Sequence, residues 1–358
     1  MQQGILFAIL AAVVSFIVVP IVIHFAKSAR IVTDSRSNSH PAHTHTGVLP
    51  RAGGIPIFLG IFLPLLGFIT TNEIVFFIFL GGALTMLVGV IDDKYNLSPY
   101  LRFGLNILAA GIAVLGGIGI PFISGPFHSV IRLDQYIYSF VFGNRSFTIL
   151  WVADIVAVLW IVWCMNMVNW SKGVDGQLPG FVAVAALFLG LLAFRFTRHD
   201  ISKETVAIMS FVTMGAYLGF LPWNFYPQKI LPGYGAGSLA GYMLAVISIL
   251  SFGKLGTILL VLALPLTDAT IVFFRRLIHK KSPFKADRTH FHHVLLDLGW
   301  GRKRIAIFYW AISFIVGLIS FNMNSGSKIF TLILIVGALS AIILWSVRLR
   351  ENLRNNSL

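Results

Sequence analysis

Long apolar runs separated by short polar segments repeat along almost the whole chain. A helix needs roughly 20 apolar residues to cross the hydrocarbon core of a bilayer, and eleven runs come near that length. The pattern therefore predicts an all-α polytopic membrane protein with about 10–11 transmembrane helices, which form one integral membrane domain over residues 1–358. The predicted spans cover residues 4–24, 53–71, 74–91, 101–120, 147–165, 180–194, 204–221, 237–252, 254–274, 304–322 and 327–347.

Composition and charge agree with a membrane protein and predict its orientation. The chain is 57% hydrophobic and 11% charged, whereas soluble domains carry about 25% charged residues. Nucleic-acid binding is one interpretation of the net charge of +14. The basic residues, however, concentrate between spans one and two, between spans nine and ten and after the last span, as the positive-inside rule describes for cytosolic segments. We therefore expect a multi-pass plasma-membrane protein with its N-terminus outside and its C-terminus in the cytosol, in contact with the lipid bilayer and with no nucleic acid.

Two further features concern the outer side and the cysteine content. Segment 121–147 is predicted to be external, and its glycines, prolines and alternating residues indicate a short hairpin. Cys164 is the only cysteine, so the sequence offers neither a disulfide framework nor a cysteine metal site.

Two adjacent carboxylates, Asp92 and Asp93, directly follow the predicted span 74–91. Negative charge at the C-terminal end of a helix opposes the helix dipole, so helix capping explains this pair poorly. Paired carboxylates at a membrane edge can hold Mg²⁺, or one can bind the metal while its neighbour takes a proton. The alternative is an ordinary solvated helix end.

Other unusual polar side chains fall in segments that are predicted to be cytosolic. Asn166, Asn169 and Asp175 offer amide and carboxylate groups that can bind the edge of a uracil or a sugar. The alternative is a tight glycine-rich turn between two spans. Asp268 lies inside a span, where a carboxylate is either paired with a basic residue or functional, and we favour pairing.

A basic, histidine-rich segment precedes the tenth span. Arg288 can bind phosphate through two hydrogen bonds, and His290, His292 and His293 add hydrogen bonds and adjustable charge. The alternatives are zinc binding, with Asp287 as a further ligand, and contact with lipid headgroups.

The first cytosolic segment carries a second histidine-rich patch, made of His40, His43 and His45. Arg51 follows, next to the glycine pair 53–54. A guanidinium beside bare backbone can face a phosphate. Most loop histidines, by contrast, are solvated and without function.

Taken together, these segments resemble the polyprenyl-phosphate N-acetylhexosamine-1-phosphate transferase family, also called glycosyltransferase family 4. The resemblance covers most of the chain, and its motifs occur in order on one predicted face of the membrane. They are His45 with Pro50-Arg51-x-Gly-Gly, Asp92-Asp93, Asn166-x-x-Asn169 with Gly173-Val-Asp175-Gly176, Leu221-Pro-x-Asn224, Pro265-Leu-x-Asp268 and His290-x-His292-His293.

The resemblance implies an activity and a set of site residues. The implied enzyme transfers a sugar-1-phosphate, an N-acetylhexosamine-1-phosphate in this branch, from a UDP-sugar to polyprenyl (undecaprenyl) phosphate. It releases UMP and serves cell-envelope glycan synthesis, and Mg²⁺ is the implied cofactor. A homodimer is a candidate assembly. The implied residues are Asp92 and Asp93 for catalysis; Asp92, Asp93 and Asp175 for the metal; and Arg51, Asn166, Asn169, Lys172, Asp175, Arg288, His290, His292 and His293 for the substrates.

This chain departs from the family pattern at two positions. Lys172 stands where the pattern usually has Asp, and the segment Gly233–Ser238 has Tyr234 where the pattern usually has another Asp. Three alternatives follow: Lys172 contacts a phosphate and does part of the work of the metal, Mg²⁺ binds through Asp92, Asp93 and substrate oxygens alone, or the protein binds lipid phosphate without transferring sugar.

The sequence therefore predicts an active, divergent transferase and keeps two alternatives. One is a catalytically degenerate member of the family that binds polyprenyl phosphate. The other is a transporter, which would need polar residues near the bilayer midplane on broken helices; most spans here carry their polar residues at one end.

Overall fold

The structure is a computed structural model that describes residues 1–34, 47–125, 129–142, 145–196, 202–251, 255–280, 282 and 288–356. The all-α class is confirmed, with three short strand pairs in addition. The helices are α1 (Gln2–Ser28), α2 (Gly54–Phe62), α3 (Leu66–Thr71), α4 (Glu73–Tyr95), α5 (Pro99–Leu115), α6 (Trp151–Trp170), α7 (Gln177–Phe196), α8 (Ser202–Asn224), α9 (Gly233–Leu250), α10 (Leu255–Val261), α11 (Ala263–Ile278), α12 (Phe291–Asp297), α13 (Arg302–Phe321) and α14 (Ser325–Asn356).

The strands form three antiparallel pairs. β1 (Val32–Asp34) pairs with β2 (Val48–Pro50), and this pair joins α1 to α2. In the segment between α5 and α6, β3 (Phe122–Ser124) pairs with β4 (Val130–Arg132) and β5 (Tyr138–Phe142) pairs with β6 (Arg145–Ile149). The predicted hairpin at 121–147 is therefore confirmed, as two hairpins instead of one.

Each of the eleven apolar runs contains a helix, but two of the runs are broken. Among the described residues, eight helices are long and apolar enough to cross a membrane, or nine if the pair α10–α11, bent by 82°, is one span. The run 53–71 divides into α2 and α3 at residues 63–65, where Pro64 has no backbone N–H to continue the helix. Helix α5 has 17 residues and falls just short of a full span. The predicted count of about 10–11 is therefore higher than the structure supports by length alone.

Helix α9 lies at the centre of the bundle. Every residue from Gly233 to Ile249 is buried. Helices α2, α4, α6, α7 and α8 pack around it, and α1 packs on the outer side of α8. The beginning of α9 therefore lies at the protein interior, next to the end of α4.

The turn from α4 to α5 brings Arg102 of α5 next to the acidic end of α4. Asn96, in the left-handed conformation with φ 56°, ends α4, and its N–H donates to the Asp92 carbonyl. Two residues later, the Ser98 side chain accepts from the Leu101 N–H and Pro99 occupies the first turn, which together begin α5. Because the turn is this short, the first turns of α5 run beside the last turn of α4.

Candidate active site

The acidic pair at the end of α4 is buried and held by two arginines. Arg102 Nη1 lies 3.2 Å from Asp92 Oδ1, and Arg51 Nη2 lies 3.5 Å from Asp92 Oδ2. Asp93 Oδ1 lies 3.0 Å from Arg51 Nε and also accepts the Tyr234 N–H at 2.8 Å. Buried carboxylates need such partners, since an unpaired charge in the interior is costly. Oxygen Oδ2 of Asp93 is buried without a hydrogen-bond partner among the described residues, so its capacity to accept a hydrogen bond is unused there.

Two glycines allow α4 and α9 to approach closely enough for this contact. Gly233 has φ +71°, and a Cβ at this position would collide with the Asp93 carboxylate. One turn before the acidic pair, a Cβ at Gly89 would collide with the backbone of Gly235. Because neither glycine has a side chain, the start of α9 can bring the Tyr234 N–H to Asp93.

Lys172 and Tyr234, the two departures from the family pattern, lie side by side at this site. The Lys172 ammonium donates to the Gly233 carbonyl and lies 5.9 Å from the centroid of the Tyr234 ring. Arg102 Cζ lies 5.1 Å from the same centroid. The Tyr234 hydroxyl is 3.0 Å from Asn106 Nδ2. Two cations thus contact one aromatic ring.

Burial lowers the pKa of the Lys172 ammonium, and the neighbouring Asp93 carboxylate opposes that shift. Counted formally, with every group ionised, Arg51, Arg102 and Lys172 surround two carboxylates. This count leaves one positive charge in excess. A site with this balance attracts an anion.

A second acidic position, Asp175, lies in the loop between α6 and α7. Its Oδ1 accepts from Gln228 Nε2 at 3.1 Å, and Arg302 Nη1 lies 3.7 Å from its Oδ2. The adjacent Gly176 N–H donates to Asn224 Oδ1 at 3.1 Å, which fixes the loop to the end of α8. Burial raises the pKa of Asp175, and Arg302 opposes the increase.

The histidine cluster lies at the start of α12. His290 Nδ1 is 3.1 Å from Asp268 Oδ2, and Asp268 Oδ1 accepts the Phe291 N–H at 2.7 Å. Asp268 is thus paired with His290, itself a predicted site residue, so the contact does not separate pairing from a functional role. The ring of His292 stacks on that of His290 with centroids 5.5 Å apart, and His293 follows at 4.4 Å from His292.

Burial lowers the pKa of His292 well below its ordinary value and lowers that of His293 to about 4, so both imidazoles are neutral at pH 7. Each has a buried Nδ1 that finds no hydrogen-bond partner in the described part of the chain. Neutral rings with open nitrogens can serve a bound ligand as hydrogen-bond donors or acceptors.

The acidic pair and the histidine cluster meet across residues 172–173. Lys172 contacts Gly233, beside Asp93, while a Cβ on the next residue, Gly173, would collide with the His292 ring. Segments far apart in the sequence thus converge on one end of the helix bundle and form a single site.

The residues at this site do not fit a divalent cation well. Among the described residues, no group of three or more His, Cys, Asp or Glu side chains could hold a metal ion. Asp175 thus does not join Asp92 and Asp93 in the predicted three-carboxylate set, and the histidines form no zinc set with the described residues. Arginines already contact three of the four oxygens of Asp92 and Asp93, which leaves Asp93 Oδ2 without a partner among the described residues. The magnesium requirement stays a prediction.

Other predicted site residues have varied positions. Asn166 Nδ2 donates to the Val162 carbonyl at 2.8 Å, within α6. Asn169 Oδ1 is buried beside Gly237 of α9 with no hydrogen-bond partner in the ranges described. Arg288 pairs at 3.0 Å with Asp297 and is largely exposed, although its charge reaches His292 and His293. His40, His43, His45 and Asp287 lie outside the described residues.

Sequence reasoning missed four side chains that hold these groups. Arg102 and Asn106 lie on α5 and contact Asp92 and Tyr234, while Gln228 and Arg302 contact Asp175. Arg102 left a signal, since it is an arginine inside an apolar run. The others became visible only once the helices were packed.

Comparison with known proteins finds consistent similarity. The family model described as "Glycosyl transferase family 4" matches residues 75–252. The chain is 26% identical over 326 residues to a probable undecaprenyl-phosphate N-acetylglucosaminyl 1-phosphate transferase of Bacillus subtilis, covering 89% of this chain and 86% of that protein.

Two further relatives extend the similarity. A decaprenyl-phosphate N-acetylglucosaminephosphotransferase of Mycobacterium tuberculosis is 30% identical over 315 residues, covering 78% of this chain and 73% of that one. A phospho-N-acetylmuramoyl-pentapeptide-transferase of Staphylococcus aureus is 26% identical over 322 residues, covering 87% and 97%.

Proposed function

This chain belongs to glycosyl transferase family 4, and from that premise we propose that it transfers N-acetylhexosamine-1-phosphate from a UDP-sugar to undecaprenyl phosphate at the cytosolic face. More generally, the protein is an integral membrane enzyme that transfers a sugar-1-phosphate to a polyprenyl phosphate, which is the activity in the names of its relatives. The sugar, the uridine nucleotide, the length of the polyprenol and the side of the membrane are the parts that we propose.

The reaction exchanges one phosphoanhydride bond for another. An oxygen of the polyprenyl phosphate attacks the phosphorus that carries the sugar, and a new P–O–P bond forms between lipid and sugar. The bond from that phosphorus to the oxygen of the second phosphate breaks, and UMP leaves with the electron pair. The UDP-sugar enters as a dianion and the polyprenyl phosphate as a monoanion, whose remaining proton passes to the enzyme and then to solvent. Both products leave as dianions, so the site must take up this proton and neutralise closely spaced negative charge.

The observation that carries the proposal is the buried pair Asp92–Asp93 among three cationic side chains. Arg51, Arg102 and Lys172 supply positive charge where both phosphates must meet. Asp93 Oδ2, the open carboxylate oxygen, can accept a proton from a protonated polyprenyl phosphate and so expose the attacking oxygen. The acidic pair at the end of α4 thus provides the reacting centre.

The neighbouring groups offer a place for the soluble donor. Asp175 and Asn169 provide polar groups for the nucleotide, and His292 and His293 provide neutral imidazoles for phosphate or sugar oxygens. Residues 172–173 connect these groups to the reacting centre. A donor with a nucleotide at one end and a sugar at the other would span this arrangement.

The test uses purified protein, undecaprenyl phosphate and a series of radiolabelled UDP-sugars, with transfer measured as label that enters the lipid phase. We expect transfer from a UDP-N-acetylhexosamine. If no donor gives lipid-linked label, the proposal is wrong. Binding of undecaprenyl phosphate without transfer would then support the degenerate family member that the two departures allow.

A further inference from the structure

The contact between Lys172 and the start of α9 joins the two positions at which this chain departs from the family pattern. They are 62 residues apart in the sequence, yet the Lys172 ammonium donates to Gly233 and faces the Tyr234 ring. The backbone N–H of Tyr234 in turn donates to Asp93. Lys172, Tyr234 and Asp93 therefore form one connected group.

The charge at this group is already compensated without a metal. Both oxygens of Asp92 accept from Arg102, and Arg51 lies beside one of them. One oxygen of Asp93 also contacts Arg51. With Lys172, the site carries more positive than negative formal charge. Adding a divalent cation would increase that excess in the absence of substrate. Mg²⁺ is usually held by one or two carboxylates together with phosphates and waters, and among the described residues only Oδ2 of Asp93 in this pair has no partner.

We propose that Lys172 supplies the cationic charge for the diphosphate of the donor, together with Arg51 and Arg102, and that the site binds this diphosphate with no divalent cation. The inference rests on the proposed function, because it assigns a role within the same site. The reaction keeps the bond changes described above, and no further co-reactant is needed.

The chemistry of the three side chains suits this role. An ammonium is a compact point charge that can follow an oxygen as charge moves from one phosphate to the next, whereas a guanidinium fixes a phosphate through two parallel hydrogen bonds. Lys172 keeps one hydrogen bond to Gly233 and has further N–H groups for phosphate oxygens. An incoming phosphate opposes the effect of burial on the ammonium, as Asp93 already does.

The experiment measures two quantities in the wild-type protein, each with excess EDTA and with excess Mg²⁺. The first is equilibrium binding of radiolabelled UDP-N-acetylglucosamine to the detergent-solubilised full chain. The second is transfer of label to undecaprenyl phosphate. We expect both to be the same in EDTA and in Mg²⁺. If binding requires Mg²⁺, the inference is overturned while transfer in Mg²⁺ would still support the proposed function.

Variants then assign the charge to Lys172. In EDTA, Lys172→Met should weaken binding of UDP-N-acetylglucosamine by about tenfold to a hundredfold, as expected for loss of a charged hydrogen bond. Lys172→Arg, which keeps the charge, should retain much of the affinity. Lys27→Met makes the same change at an exposed lysine at the end of α1 and should bind as the wild type does. Thermal unfolding of each variant shows whether it is folded.

The outcomes separate the two proposals. Wild-type affinity in folded Lys172→Met would overturn the inference. Binding in EDTA that depends on Lys172, with no transfer in either condition, would support the inference about the cation and overturn the proposed transferase activity.

Discussion

Asp93 combines two environments in one side chain, because Oδ1 is held by Tyr234 and Arg51 while Oδ2 has no partner in the described part of the chain. Asp93→Asn keeps the shape and an acceptor oxygen but removes the charge and the ability to take a proton. We expect transfer to fall by about 10²–10⁴-fold, the usual contribution of a general base. Label in the lipid phase measures it.

The matched control for this prediction is Asp134→Asn. Asp134 forms an ion pair with Arg132 at 2.9 Å on the hairpin between α5 and α6, away from the site, and its replacement should leave transfer unchanged. Wild-type transfer by folded Asp93→Asn would show that the acidic pair is not catalytic.

Buried His293 should make the stability of the protein sensitive to acid. Burial lowers the pKa of His293 to about 4, whereas the unfolded chain binds this proton near pH 6.5. Between these values the unfolded state binds more protons than the folded state, so stability should fall as the pH falls from about 6.5 to about 4. His293→Gln cannot take the proton and should flatten this part of the pH dependence.

Thermal unfolding in detergent, followed by tryptophan fluorescence across this pH range, measures both proteins. Carboxylates contribute to the slope in each of them, so the difference between the two curves isolates His293. Parallel curves would contradict the prediction.

At the residue scale, the sequence predicted the reactive groups better than their partners. Asp92, Asp93 and the histidines stand out because ionisable side chains beside a membrane span are uncommon and usually functional. The partners of these groups come from distant helices: Arg102 from α5 and Tyr234 from α9. Their roles depend on which helix packs beside which, and the sequence pattern does not contain that information.

Among the helices, the approach of α4 to α9 depends on glycines. A Cβ at Gly89 would collide with the backbone of Gly235, so Gly89→Ala should push the helices apart and move Asp93 away from the Tyr234 N–H. We expect a loss of about 1–3 kcal/mol of stability, as for other overpacked sites, together with a loss of transfer. Thermal unfolding and label transfer measure the two effects.

Gly111→Ala provides the matched control, since a Cβ at Gly111 on α5 meets no atom within 4 Å. The substitution raises helix propensity equally in both variants, by about 1 kcal/mol. Gly111→Ala should therefore be neutral or slightly stabilising. Equal behaviour of the two alanine variants would show that the contact between α4 and α9 is not tight.

Most uninterrupted apolar runs form single helices of spanning length, whereas the run 101–120 gives the 17-residue helix α5. Where a run breaks, as at Pro64 and between α10 and α11, one predicted span contains two helices. Hydropathy averages over a break, because the residues on both sides are apolar. A proline in the run signals each break: Pro64 lies at the first, and Pro265 lacks the N–H that would bond to the Val261 carbonyl at the end of α10, where the chain bends by 82°.

For the whole molecule, the distribution of basic residues predicts which end faces the cytosol. Ser98, between α4 and α5, is exposed near the site, and Gln135 is exposed on the opposite segment between α5 and α6. Since Cys164 is buried, cysteines placed at Ser98 and Gln135 can be labelled against a silent background. In intact cells, a membrane-impermeant maleimide should label Gln135→Cys, and should label Ser98→Cys only after permeabilisation.

The reverse labelling pattern would place the site outside and would contradict the positive-inside prediction. Labelling of both variants in intact cells would show that the two residues share a side. Either result would leave the fold intact while changing the compartment from which the donor arrives.

The complete enclosure of α9 has a consequence for how the protein is made. Protein surrounds this helix on all sides from Gly233 to Ile249, so its environment in the finished molecule is other helices instead of lipid tails. Glycines and tyrosines suit that environment, and they are poorly suited to a helix that leaves the translocon alone. Helix α9 should therefore become stable in the membrane only when α4 and α6 have already inserted and can pack against it. Correct assembly of the site then depends on the order in which the helices insert.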